Sequence, residues 1–386
     1  MLTEIEIKTV SETAGRTIAK LSVNPTQNHV THYGLHEPGN AGDTTLFATV
    51  RNALDPERTV DWCLKPLWDR ITPSVIDRLN CESRGIIVGG GGLFLSDTNS
   101  NTASGWQWAC PTDLLRQIDV PLIVYAVGYN QFRGQDGFPP GFDDNIRALV
   151  ETSAFVGLRN HGSIRRLSEH LGDSHADQLV YQPCPTTVLS RLHPHVSASP
   201  SREGPPVLSL NTAFDRHWLR FQGHAHKALS AIAAALRHAQ NQGWSIRLVQ
   251  HVAPRDGSAV PWLDGAGVKY EEVNLHEEPI DAVLQYYRDV DLAMGMRGHS
   301  QMIPFGLETP ILSLISHDKL QWFLEDIGHP EWGVEIGDDD LESKLCEKID
   351  AVAENPEGRH QKIQSAQDRL WEITQENRST IFDLLL

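Results

Sequence analysis

A short apolar run that ends at a glycine and turns straight into a helix leaves a chain few folds. Residues 291–306 hold such a run, Asp291-Leu-Ala-Met-Gly-Met-Arg-Gly-His-Ser-Gln-Met-Ile-Pro-Phe-Gly306. Asp291 to Gly295 reads as a short buried strand, and the stretch from about Ser300 to Gly306 reads as a helix that begins just after Arg297-Gly298-His299. In open α/β sheets ligands bind outside the carboxyl ends of the strands. A helix start there offers unpaired N–H groups and a favourable dipole to an anion. Arg297 and His299 occupy that turn and make an anion-handling corner. On the triplet alone, a surface Arg beside a capping His is the alternative.

The same pattern recurs upstream. Gly85-Ile-Ile-Val-Gly-Gly-Gly-Gly-Leu-Phe94 reads as a buried strand running into four glycines. Without side chains, Gly90, Gly91 and Gly92 can serve only through their backbone, by a sharp bend or by close approach to a ligand. Phe94 stands where a dinucleotide fingerprint needs its last glycine, and no Gly-Lys-Ser/Thr follows to make a P-loop. Pro121 to Gly128 repeats the strand that ends in glycine, and residues 131–141 read as a mobile loop. Phe142 to Thr152 reads as a helix, Ala154 to Arg159 as a strand, and Ser163 to Leu171 as a helix closed by Gly172. Arg159 therefore repeats the placement of Arg297, and the two guanidiniums are expected to converge across a cleft between domains.

Near the start, a turn-rich run ends at Asp43, and Leu46, Phe47, Val50 and Leu54 follow at helical spacing. Asp43 reads as the helix N-cap. The alternative is that Asp43, with Asn40 beside it, faces the cleft as a base or hydroxyl-binding group. Arg191 to Pro206 is rich in Pro and Ser and lacks periodicity, which marks an interdomain linker. Residues 1–190 and 207–386 are then the two domains, and the helix expected in residues 359–386 packs back on the first. Val207 to Leu210, an Ala-rich helix near Ala225 to Ala239, and Ser245 to Gln250 restart a βαβ series. His217, His224 and His226 invite a metal site, but no carboxylate or cysteine completes a recognisable ligand spacing, so no metal is expected. Cys184, at the end of a strand, reads as a packed thiol, and the five cysteines include no C-x-x-C.

The formal charge of -17, with no run of Lys and Arg, argues against a nucleic-acid partner. The opening residues lack a basic n-region and an apolar h-region, and no stretch approaches the roughly 20 apolar residues of a membrane span. A cytoplasmic protein without a transmembrane segment is the expectation. The fold class expected is α/β, two Rossmann-like domains facing a central cleft.

Taken in order, Asn40-Ala-Gly-Asp43, Ile86 to Phe94, Val127-Gly128, Gly157-Leu-Arg-Asn-His-Gly-Ser163, Cys184-Pro185, Arg297-Gly-His299 and Lys319 resemble the polysaccharide pyruvyl transferase family. The resemblance runs from about Tyr33 to Gly328. It departs where family members usually show Arg-Asp, since Asn160 follows Arg159 here, and the first 30 residues have no counterpart. The resemblance implies a GT-B-like fold and transfer of a carboxyethylidene (pyruvyl) group from phosphoenolpyruvate to two hydroxyls of a sugar, with no cofactor or protein-held metal. A sugar or glycan acceptor, free or lipid-linked, is implied as partner, and a lipid-linked one would bring the protein to the inner face of the membrane. In the roles that follow, Arg159, Arg297, His299 and Lys319 bind the donor. His299 supplies or relays the proton for the vinyl carbon. Asn40 and Asp43 hold the acceptor, and Asp43 takes its hydroxyl proton. Gly90 to Gly92 admit donor or sugar to the backbone. Arg297→Ala and His299→Ala are expected to abolish turnover with the fold intact, because both side chains are expected to be solvent-accessible. The rival readings are a GT-B glycosyltransferase that uses a nucleotide sugar and a non-catalytic sugar-binding relative.

Overall fold

In the computed structural model, residues 28–36, 38–96, 103–172, 175–196 and 204–385 are described. The strand expected within residues 5–10 and residues 197–203 of the expected linker lie outside them. The first sheet holds β1 (His29–Gly34), β2 (Asp61–Pro66), β3 (Ser83–Phe94), β4 (Leu122–Tyr129), β5 (Phe155–Leu158) and β6 (Leu179–Tyr181), in spatial order β2-β1-β3-β4-β5-β6. The second holds β7 (Val207–Asn211), β8 (Ser245–Gln250), β9 (Tyr270–Asn274), β10 (Leu292–Gly295), β11 (Ile311–Ile315) and β12 (Gly333–Glu335), in order β12-β11-β10-β7-β8-β9. Every pairing in both sheets is parallel. Helices cover both faces, so central strands such as β4 and β7 are buried along their whole length and read as unbroken apolar runs.

The strands and helices expected from periodicity form close to their expected bounds. Asp61–Pro66 is an addition, an edge strand with exposed and half-buried positions and no period-two pattern to betray it. The helix cap near Asp43 is corrected. Asn40 caps helix Ala41–Leu54, its Oδ1 accepting from Gly42 N at 3.0 Å, and Asp43 lies inside the first turn. The loop expected to be mobile, around residues 131–141, is tied across the molecule. Arg133 makes a fork onto Glu335 at 2.7 and 2.9 Å and also pairs with Asp318.

One apolar cluster runs through both halves, joining Leu46, Val50 and Val188 to Met302, Phe305 and Ile381. The last helix, Pro356–Leu385, carries part of it. Ile363 and Ile381 are fully buried, Asn377 Nδ2 donates to Tyr181 O at 2.9 Å, and Leu385 packs where a Cβ on Gly85 would stand. This packing sets the carboxyl ends of the two sheets against each other.

Candidate active site

Each side chain of the site leaves a strand at its carboxyl end, which is where a parallel sheet presents its loops. From the first sheet come Asn40 and Asp43 after β1, Asn130 after β4, Arg159 after β5 and Cys184 after β6. The second contributes Asp215 after β7, Asp256 after β8, Arg297 and His299 after β10, and His317 and Lys319 after β11. Asp43 and His299, more than 250 residues apart in sequence, meet with Oδ1 and Nδ1 at 3.8 Å. Gly42 makes that approach possible, since a Cβ there would fall 2.6 Å from His299 Cβ and 2.8 Å from its Nδ1. The far ring nitrogen, Nε2, lies 3.9 Å from Cys184 Sγ.

Burial disfavours the charged form of both members of this pair. Burial pushes the Asp43 carboxyl up to about 6 against the pull of Lys319, Arg297 and Arg159. Burial first, then Arg159, Lys319 and His251, drive the His299 imidazolium well below its usual range. Burial therefore favours a protonated carboxyl and an uncharged imidazole, and His299 is neutral at pH 7.

The two arginines differ sharply. Arg297 donates from Nε to both Asp256 oxygens at 2.9 and 3.0 Å and from Nη2 to Asp256 at 2.6 Å and Asp215 at 2.7 Å. Asp256 is fully buried and also accepts from the His251 and Val252 amides and from Asn211 Nδ2. Burial raises the Asp215 carboxyl, but Arg220 and Arg297 overcome it and hold it well below the usual range. Arg220 also donates to Asp215 and to Ser316 Oγ. Arg297 is thus clamped, with Nη1 left for a ligand. Arg297 is less accessible than expected, its side chain 14% exposed, and Arg297→Ala is now expected to cost stability as well as turnover, because its loss would strand a fully buried carboxylate.

Arg159 is 5% exposed, yet its Nε and Nη2 have no hydrogen-bond partner. Gly128 gives it room, since a Cβ there would lie 2.1 Å from Nε. Buried guanidinium donors are ordinarily satisfied, so two orphaned ones mark the place of an absent acceptor. Lys319 is similarly poised. Its Nζ donates to Asn130 Oδ1 at 2.8 Å, and burial, Arg159 and Arg220 lower its pKa far below the usual lysine range. His317 holds this corner by donating to Asn130 O at 3.2 Å while its Nδ1 caps helix Asp318–Asp326.

The glycine run has a different setting from the one expected. Gly90 and Gly91 are buried against Leu46 and Leu93, so the close approach they permit is made by the chain itself. Only Gly92 reaches the cleft side, where a Cβ would strike Asn130 at 2.7 Å. Asn160 caps helix His161–Leu171 by accepting from Ser163 N at 2.7 Å, the same service an Asp would give. Asp215, Asp256, Arg220, Asn130, His317 and Gly42 escaped the sequence reading. The signal that exposes four of the polar ones is the rule that found Arg297, namely position just past the carboxyl end of a strand.

Two six-stranded parallel sheets whose carboxyl ends face one cleft define a two-domain, GT-B-like fold. A family model described as polysaccharide pyruvyl transferase matches residues 43–318, and the chain belongs to that family of enzymes, which serves polysaccharide biosynthesis. No curated protein matches the sequence significantly. Among solved structures, the chain resembles Staphylococcus aureus MnaA in complex with UDP, at a TM-score of 0.54 and 12% identity, covering 89% of this chain and 95% of that one. UDP-GlcNAc 2-epimerase from Neisseria meningitidis, bound to UDP-GlcNAc, aligns at a TM-score of 0.53 and 12% identity over 90% and 99% of the two chains. At that identity the likeness is one of fold. No helix among the described residues is long and apolar enough to cross a membrane.

Proposed function

We propose that the donor is phosphoenolpyruvate and that the enzyme closes a cyclic ketal on two hydroxyls of a sugar in a cell-surface glycan. The observation that carries this is the buried Arg159 with two donors unsatisfied, beside a lysine surrounded by cations. Phosphoenolpyruvate brings a phosphate and a carboxylate, each matched to a guanidinium fork or an ammonium. Arg159 and Lys319 receive one anionic group, and the free Nη1 of Arg297 meets the other.

In the reaction the vinyl carbon gains a proton, one sugar hydroxyl adds to the resulting oxocarbenium-like carbon, and the carbon–oxygen bond to phosphate breaks. The second hydroxyl then closes the ring. Of the two hydroxyl protons released, one balances the proton placed on carbon and one leaves with phosphate. Asp43 is the base for the acceptor hydroxyl and Asn40, hydrogen-bonded to it at 2.7 Å, orients it. His299 relays the proton to carbon once the negative charge of the donor offsets the burial and the neighbouring cations that keep its ring neutral. The donor carries its own leaving group, so these steps call on no further cofactor. Work on a lipid-linked acceptor would place the enzyme at the inner face of the membrane, and a free glycan would leave it in the cytoplasm.

Calorimetric titration of phosphoenolpyruvate into wild-type protein and Arg159→Met, with a nucleotide sugar in parallel, tests the donor. Saturable binding of phosphoenolpyruvate that is lost in the variant is expected, followed by phosphate release on adding acceptor glycans. Nucleotide-sugar binding without phosphoenolpyruvate binding would transfer the site to a glycosyltransferase.

A further inference from the structure

Where the chain leaves the first sheet for the second, three side chains that play no part in the cleft chemistry converge. His193 and His195 stand on either side of Pro194, just past the short helix Leu189–Leu192, and Asp281 lies in the first turn of helix Ile280–Arg288. One ligand atom from each lies within 4.8 Å of the others. No other trio of His, Cys, Asp or Glu among the described residues comes together in this way, and His217, His224 and His226 do not.

We propose that His193, His195 and Asp281 bind one transition-metal ion of the zinc, cobalt and nickel class, clipping the two lobes together at their crossover. Two imidazole nitrogens and one carboxylate oxygen suit those ions, whereas magnesium and calcium favour all-oxygen sites. The imidazoles are not stacked. Their centroids are 5.5 Å apart with planes at 61°, which lets two ring edges aim at one point. His193 is 6% exposed and its Nε2 sits 3.2 Å from Asn52 Nδ2; with the Asn52 amide turned so that its oxygen accepts the Nε2–H, the ring is held from outside and Nδ1 keeps its lone pair for an ion. A second contact that orients a ligating imidazole is a recurrent feature of metal sites. A bound zinc lies about 2 Å from each ligand. His195 and Asp281 are exposed and free to rotate the remaining distance, leaving a fourth position for water.

The three ligands come from both halves of the chain, and Asn52 belongs to the same helix as Asp43. Nine residues of helix separate the two, about 13 Å at 1.5 Å per residue. The ion would therefore steady the helix that bears Asp43 and the angle between lobes without touching substrate.

The test uses the full-length chain without a histidine tag, stripped by chelator and titrated with Zn²⁺ and Co²⁺, with Mg²⁺ as comparator. One equivalent of Zn²⁺, a Tm raised by several degrees, and the visible absorption of four-coordinate Co²⁺ are expected. His195→Gln and Asp281→Asn change exposed side chains and keep the fold, and each should lose the bound equivalent and the Tm rise. Absence of stoichiometric Zn²⁺ binding, the same equivalent retained in both variants, or an equal response to Mg²⁺ would overturn the proposal. None of these readouts depends on which donor the enzyme uses.

Discussion

Arg159 and Arg297 occupy matching turns, each a guanidinium at the carboxyl end of a parallel strand just before a helix, yet they have opposite surroundings. Arg297 is held by two carboxylates, one of them fully buried. Arg159 is just as deep and has two donors without a partner. Desolvating a cation with nothing to pair it costs stability, and the cost is tolerable where a ligand will supply the counter-charge. The second lobe thus brings its own anions and builds a rigid turn, while the first leaves two buried guanidinium donors unpaired, where the proposed donor would bring its negative charge. Identical placement in the topology therefore does not mean identical role.

Arg159→Met is the largest test of this contrast. If the orphaned guanidinium meets substrate, its loss removes a buried charged contact, worth about 2–5 kcal/mol or roughly 30- to 5,000-fold in donor affinity. The fold should not suffer, because no internal partner is stranded, and Tm should hold or rise. Unchanged donor binding with a fall in Tm would make Arg159 a structural residue.

Arg297→Met should reverse the balance. Asp256 would be left buried and unpaired, at a cost of about 3–5 kcal/mol in stability. Asp256→Asn in the same chain should recover much of that loss, which denaturant melts of the two single variants and the double variant would read directly. A single variant that melts with the wild type would erase the difference between the arginines.

The fold was legible because buried parallel strands that end in glycine carry strong local signals, as at Val88–Gly91 and Met294–Gly295. The edge strand Asp61–Pro66 was not, since its half-exposed surface carries no alternation. Arg159, Arg297 and His299 could be read from position alone, and Lys319 only through the family resemblance. The same rule reaches Asp215 and Asp256, but their pairing with Arg297 could not be read, because nothing in the chain links acids 82 and 41 residues away to it until the chain folds. Asp43 was read as a cap for the same reason: Asn40 and Asp43 are both good caps locally, and the choice is made by Gly42 N meeting Asn40.

Between the two arginines stands Asp43, and its titration offers a middle-sized test. Its folded pKa is raised from 3.8 to about 6, so between those values the folded state binds more protons than the unfolded one. Stability from this group is present below about pH 4 and is lost as pH rises through about 6. Asp43→Asn should remove that slope. As the base for the acceptor, Asp43 should also give kcat/KM an acid limb, falling as pH drops through about 6 and absent in the variant. A limb on the alkaline side at the same pH would make Asp43 the acid instead.

The smallest effect concerns the residue beside Arg159. Asn160 stands where the family resemblance leads one to expect an acid, and its Oδ1 already caps helix His161–Leu171. Asn160→Ala should cost about 1 kcal/mol in stability by freeing the Ser163 amide, with donor affinity unchanged. Asn160→Asp keeps the cap and adds a charge at a helix N-terminus, worth about 0.3–1 kcal/mol where it is not offset by burial. Because the residue 160 side chain is turned to the Ser163 amide at the start of helix His161–Leu171, the new carboxylate should not quench Arg159, and donor affinity should stay within about twofold of wild type. A rise in turnover of tenfold or more in Asn160→Asp would show that the acid takes part in the chemistry, and would place catalytic charge on the first lobe beyond Asp43.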